Sequence, residues 1–211
     1  MLKIASCLLF VLLFAAALQP VYADYEAGRI AANRGDFAAH VFCDVARHFA
    51  KADASVIMGA GSVVDAPTAG IYIANGAKFI VGPLISADVA KLCNRRGIPY
   101  SPGCGSVTEI GDAQELGCEI VKVFPGSSAG GPDFVKSVMA PMPWTRIMPT
   151  GGVAPTHESL REWFGAGIAA CGIGSKLIVK QLLDAGDYRG IEENVRRTVK
   201  LVKTIRAEMA S

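Results

Sequence analysis

The stretch Ile120-Val121-Lys122-Val123-Phe124-Pro125-Gly126 is an apolar run that carries a single lysine and stops at a proline-glycine pair. β-Branched and aromatic residues in a short run closed by Pro and Gly predict a strand followed by a turn. Side chains alternate along a strand, so Lys122 shares its face with Ile120 and Phe124 while Val121 and Val123 take the other. A strand that is apolar on both faces suits a parallel sheet covered on both sides, which sends the lysine into a closed interior. Burying an ammonium there costs several kcal/mol, roughly, so the group is expected to shed its proton or find a partner. A neutral buried lysine is a nucleophile. The plainer reading, a strand-end lysine snorkelling to water, is outweighed by the chain on either side.

Working outward, one physical unit recurs: a capped amphipathic helix, a glycine stop, a short apolar strand and a Gly or Pro turn. Asp36 is placed to cap a helix carrying Phe37, Val41, Val45 and Phe49, followed by a strand over Val56-Ile57-Met58-Gly59-Ala60-Gly61-Ser62. Asp65 before Pro67 opens the next helix, Gly76 closes it, and the strand Phe79-Ile80-Val81-Gly82-Pro83 follows. Ser86 and Gly97 bracket another helix before Pro99-Tyr100-Ser101-Pro102-Gly103, and Ser106 with Glu109 forms a capping box ahead of a stop at Gly117. Arg146-Ile147-Met148-Pro149-Thr150-Gly151-Gly152 and Ala169-Ala170-Cys171-Gly172-Ile173-Gly174-Ser175 continue the series.

Alternating strands and helices require a parallel sheet, and so many short units favour closure into an α/β fold of the (β/α)8 TIM-barrel type. Neither a GxGxxG nor a GxxxxGK[ST] signature supports an open nucleotide-binding sheet. About six strands follow residue 50, with a poor one at Arg29-Ile30-Ala31-Ala32, against the eight of a complete barrel. The deficit falls on an incomplete or altered N-terminal strand-helix unit.

At 211 residues and 51% hydrophobic content the chain supports one core, so residues 24–211 are expected to form a single barrel domain. A net charge of +2 without a basic, aromatic-laced run argues against nucleic acid and for a small-molecule substrate. Cys7, Cys43, Cys93, Cys104, Cys118 and Cys171 show no CxxC pair, and His40, His48 and His157 show no HExxH spacing. The cysteines read as reduced, buried small hydrophobes, and neither a metal nor another cofactor is expected.

The first 23 residues read differently. Met1-Leu2-Lys3, the apolar run Ile4 to Leu18, and the small residues Val21 and Ala23 match a secretory leader cleaved before Asp24. The run is too short to span a bilayer comfortably, so no stable membrane span is expected. Its rival is a segment that supplies or replaces the first strand of the fold.

In a barrel of this kind reactive groups stand where strands end. Asn33-Arg34, Ser62, Pro83, Pro102-Gly103, Lys122 with Phe124, Thr150-Gly151-Gly152 and Gly174-Ser175 occupy such positions. The glycine loops at 151–152 and 174–175 suit a phosphate or carboxylate, because backbone N–H groups converge there and a following helix adds its dipole. Lys176 adds a charge. Gly151-Gly152 as an ordinary tight turn, and Ser175 as the N-cap of the last barrel helix, are the plainer alternatives.

Gly59-Ala60-Gly61-Ser62-Val63, Gly76-Ala77-Lys78-Phe79-Ile80-Val81-Gly82-Pro83, Pro102-Gly103, Val121-Lys122-Val123-Phe124-Pro125, Pro149-Thr150-Gly151-Gly152 and Gly172-Ile173-Gly174-Ser175 together resemble the 2-keto-3-deoxy-6-phosphogluconate (KDPG) and 4-hydroxy-2-oxoglutarate (KHG) aldolases over about residues 33 to 185. The resemblance implies a class I, Schiff-base lyase on a (β/α)8 barrel that assembles as a homotrimer. It implies Lys122 as the imine-forming residue and Thr150, Gly151, Gly152, Gly174 and Ser175 as the carboxylate or phosphate cradle. Arg34 matches an anion-binding arginine, Ser62 a hydroxyl near the reacting carbon, and Pro83 and Phe124 the pocket wall.

One departure stands out. The family places a glutamate general base four residues before the arginine matched by Arg34, and this chain has Ile30 there. Acid–base help is worth about a hundred- to ten-thousand-fold in rate, so an impaired relative that binds keto acids or phosphates without turnover is the alternative. Glu26 is the nearest carboxylate in sequence. A different phosphate-binding barrel that uses the glycine loops without the lysine is the third reading. For compartment, the family's pyruvate chemistry points to the cytoplasm and the leader to export.

Overall fold

The computed structural model describes residues 57–210. The Asp36 helix, the poor strand at 29–32 and the leader lie outside them. The chain divides into two compact units: the first runs to Cys104 and adds Thr108–Glu119, and the second takes Gly105–Val107 and everything from Ile120 onward.

In the first unit, helix α1 (Ala66–Ala74) starts where Asp65, in extended conformation, accepts the Thr68 N–H at 2.8 Å and the Thr68 hydroxyl at 2.9 Å. Pro67 follows within the first turn, where its missing N–H costs nothing. Strand β1 (Ile80–Val81) pairs in parallel with β2 (Tyr100–Ser101), Ile80 opposite Tyr100 and Val81 opposite Ser101. Ala60 makes a parallel bridge to Ile80. Between β1 and β2 runs helix α2 (Ala87–Arg96), capped by the Ser86 hydroxyl and ended by Gly97 at φ 63°. The segment β3 (Gly103–Cys104) leads into α3 (Val107–Glu115), after which the Gly117 and Cys118 N–H groups close back on Gln114 and Ala113. Val63, Ala69, Ile80, Val89, Cys93, Ile110 and Ala113 form this unit's buried interior.

The second unit repeats the parallel arrangement. Strand β4 (Val121–Val123) and strand β5 (Ile147–Pro149) flank helix α4 (Gly131–Met139), with Lys122 opposite Met148. Helix α5 (His157–Gly165) follows, capped by Thr156, and Thr150 bridges to Gly172. Trp163 of α5 is buried, whereas Trp144, on the turn before β5, is 68% exposed. After the short α6 (Lys180–Asp184) comes α7 (Tyr188–Ala210), whose stripe Ile191, Val195, Thr198, Val202 and Ile205 is buried. Arg161 pairs with Glu208 at 3.1 Å and Arg206 lies over the Phe164 ring, which ties α7 to α5.

The expected strand over 56–62 is reduced, among the described residues, to the bridge at Ala60. Gly59 and Gly61 flank that residue, and glycine weakens a strand because it has no side chain to pack and the most conformational freedom to lose. Cys93, Cys104, Cys118 and Cys171 are buried and in no disulfide among the described residues, while Cys7 and Cys43 lie outside the described residues. No helix among the described residues is long and apolar enough to cross a membrane.

Candidate active site

Pairing of β4 with β5 fixes Lys122 in the sheet. Its strand neighbours Val121 and Val123 are fully buried, its cross-strand partner Met148 is 2% exposed, and Lys122 itself is 7% exposed. Burial lowers the lysine's pKa from its ordinary value, because water no longer solvates the ammonium. The Nζ sits 4.2 Å from the centre of the half-buried Phe124 ring, and that ring face favours the charged form. Desolvation is the larger effect on a side chain this enclosed.

The glycine loop is clamped to the end of the same strand. The Thr150 N–H donates to the Val123 carbonyl at 3.0 Å, the Gly126 N–H to the Thr150 carbonyl at 2.8 Å, and the Ser127 N–H to the Gly151 carbonyl at 3.1 Å. Phe124-Pro125 is a cis peptide. Gly151 and Gly152 take φ of 85° and 92°, a region that L side chains rarely enter. A Cβ on Gly172 would stand 2.5 Å from the Thr150 hydroxyl, so the bridge between these two segments is tight as well.

The second loop lies beside the first. The Gly174 carbonyl accepts the Leu177 and Ile178 N–H groups at 2.8 and 3.0 Å, closing a single turn, and the Lys176 ammonium donates to the Gly152 carbonyl at 3.4 Å. Among the described residues, the N–H groups of Gly152 and Ser175 meet no protein acceptor. Both loops are exposed at these positions. The second unit therefore holds Lys122 within β4 and carries Phe124, Thr150, Gly151, Gly152, Gly174 and Ser175 in the segments that follow its paired strands, an amine of lowered basicity in the same unit as backbone donors suited to an anion.

Two expectations need correction. Ser175 is not a helix N-cap: α6 begins at Lys180 with Val179 at the cap position, because Gly174 has already closed a separate turn. Likewise α5 begins at His157, capped by Thr156, five residues past Gly152, so no helix start directly follows either glycine pair.

The remaining predicted residues belong to the first unit or lie outside the described residues. Arg34, Ile30 and Glu26 lie outside the described residues. In the first unit, Ser62 is exposed with φ 59°, next to Val63, whose N–H donates to the Val81 carbonyl. Pro83 is half-buried after Gly82, whose N–H donates to the Ser101 carbonyl at 3.1 Å. The sequence reading passed over the Ser101 hydroxyl, which is buried without a hydrogen-bond partner among the described residues; a serine inside the run Pro99-Tyr100-Ser101-Pro102 was the available signal. Among the described residues, no group of three or more His, Cys, Asp or Glu is placed to hold a metal ion.

The family model described as KDPG and KHG aldolase matches residues 27–194. The 2-dehydro-3-deoxy-phosphogluconate aldolase of Treponema pallidum (strain Nichols) is 34% identical over 151 residues, 71% of this chain and 70% of that protein. The 2-dehydro-3-deoxy-6-phosphogalactonate aldolase of Escherichia coli (strain K12) is 33% identical over 151 residues, 71% and 69% of the two chains. Among solved structures, one described as native KDPGal superposes with a TM-score of 0.70 at 27% identity, covering 79% of this chain and 77% of its own. The chain belongs to the KDPG and KHG aldolase family, and its fold class is that of the (β/α)8 barrel. Its relatives are carbon–carbon lyases.

Proposed function

We propose that the chain is a class I aldolase in which Lys122 forms a Schiff base with a 2-keto acid. The single observation that carries this reading is a lysine of lowered pKa, 7% exposed, within β4, the strand whose last carbonyl is hydrogen-bonded to Thr150 of the glycine loop. The neutral amine attacks the C2 ketone to give a carbinolamine, and loss of water leaves a protonated imine. A base removes the C4 hydroxyl proton, the C4–O pair becomes the aldehyde carbonyl, and the C3–C4 bond pair moves onto the imine to give an enamine. Protonation at C3 and hydrolysis release pyruvate and restore Lys122. The protonated imine is the electron sink, so the step needs no metal. Thr150, Gly151, Gly152, Gly174 and Ser175 hold the substrate's anionic end and Phe124 lines the pocket; for Pro83, Ser62 and Arg34 the family resemblance alone supports the roles of pocket wall, hydroxyl near the reacting carbon and anion contact. The names of the relatives support a KDPG- or KHG-type substrate, giving glyceraldehyde 3-phosphate or glyoxylate as the second product.

The test is borohydride reduction in the presence of pyruvate. The intact chain is expected to gain the mass of one reduced pyruvate adduct and Lys122→Ala to gain none; an adduct that persists in Lys122→Ala overturns the assignment. A second reading rests on Ile30 at the position of the family's general base. There the imine forms but turnover is lost, so an adduct without detectable release of aldehyde favours it.

The family resemblance also supports a homotrimer of single barrel domains spanning 24–211, which light scattering tests. Cytoplasmic pyruvate chemistry is favoured over export, and the mass of the mature N-terminus decides between them: a chain beginning at Asp24 supports a cleaved leader.

A further inference from the structure

The glycine cradle carries a cation that suits one substrate terminus better than another, an inference that rests on the Lys122 reading above. Lys180, the next lysine along the chain, is committed to Asp184, with contacts of 2.6 and 2.8 Å on α6. Lys176 forms no ion pair among the described residues and spends its ammonium on the Gly152 carbonyl at 3.4 Å. That contact is long and exposed, so it holds the side chain over the loop at little energetic cost to release. The backbone donors of Gly152 and Ser175 are neutral and suit a carboxylate or a phosphate alike. An ammonium on a flexible four-carbon stem separates the two, because a phosphoryl group carries nearly two charges and three acceptor oxygens where a carboxylate carries one charge and two.

The geometry points to Lys176 as a specificity-determining residue: its ammonium leaves the Gly152 carbonyl for the phosphoryl group of the substrate and selects phosphorylated over unphosphorylated 2-keto-3-deoxy acids at this site. A charge-assisted hydrogen bond at an exposed position changes affinity by about tenfold.

The experiment compares the full chain with Lys176→Met and Lys176→Arg. Two readouts are taken: kcat/KM on KDPG and on 4-hydroxy-2-oxoglutarate, whose far end is a carboxylate, and the Kd for inorganic phosphate by calorimetry. Lys176→Met is expected to lower kcat/KM about tenfold more on the phosphorylated substrate, through KM, and to weaken phosphate binding by a similar factor, with most of both effects recovered in Lys176→Arg. Equal losses on both substrates, as a purely structural role for the Gly152 contact would give, overturn the inference, as does a phosphate Kd that does not move. If the chain turns over neither substrate, the phosphate Kd alone decides. Borohydride trapping with pyruvate, run on the same samples, keeps the two failures apart. A normal adduct with an unmoved phosphate Kd removes the role of Lys176 alone, and a missing adduct removes the role of Lys122.

Discussion

At the scale of the residue, burial of the Lys122 amine gives the protein's stability a pH dependence. The amine's folded-state pKa lies below that of the unfolded chain, where the lysine has its ordinary value near 10.5. Between the two values the unfolded state binds more protons than the native state, so this group makes stability rise with pH across that window. Below it, both states are protonated and the full burial cost is present. Lys122→Met is therefore expected to raise unfolding stability by up to about 1 kcal/mol at pH 7, the burial cost less the lysine's lost contacts, that with the Phe124 ring among them. The difference between variant and parent should shrink as pH climbs towards 10.5, when the parent's lysine becomes neutral. Urea unfolding of both proteins at pH 7 and 10 measures it, and a difference that grows with pH contradicts the buried, weakened base.

At the scale of the element, the clamp between the loops after β4 and β5 is the part least able to absorb change. A Cβ on Gly126 would stand 2.5 Å from the Gly151 carbonyl oxygen and 3.3 Å from that of Thr150, both backbone atoms that cannot swing aside. Gly126→Ala is expected to cost about 1–3 kcal/mol in urea unfolding and to reduce the yield of the pyruvate adduct, because the strand end moves with the loop. Gly111, inside α3 with nothing within 4 Å of its added Cβ, is the counter-case: Gly111→Ala is expected to stabilise by up to about 1 kcal/mol. Local signals of this kind were the legible ones. Asp65, Ser86 and Gly97 announce helix ends through chemistry confined to three or four residues, and each stands where that chemistry puts it. Ser175 misled, because a serine caps a helix only if the chain continues as one, and the Gly174 turn intervenes. Helix α7 went unread, although Ile191, Val195, Val202 and Ile205 recur at helical spacing, because their stripe is interleaved with charged residues and lies beyond the resembling segment. The Lys176 contact with Gly152 was not readable at all, since it joins loops 24 positions apart through the path of the backbone.

At the scale of the whole molecule, the buried thiols test how closed the interior of the first unit is. Burial pushes Cys93 and Cys118 up to about 11 and Cys104 up to about 12. At pH 8 a thiol with a pKa near 11 is about one part in a thousand thiolate, against roughly a quarter for an unperturbed one. These groups are expected to resist Ellman's reagent in the native protein and to react together when urea unfolds it. Rapid native-state labelling of any of the three means that the unit opens locally or is packed more loosely than the structure describes.

The two tryptophans sit in opposite surroundings, Trp144 at 68% exposure and Trp163 at 3%. Indole emission shifts to longer wavelength in water, so the native spectrum is the sum of a red component that acrylamide quenches readily and a blue one that it does not. Unfolding converts only the second. With Trp144→Phe, intrinsic fluorescence becomes a single-site optical reporter on α5, the helix that follows the glycine loop, and needs no attached dye.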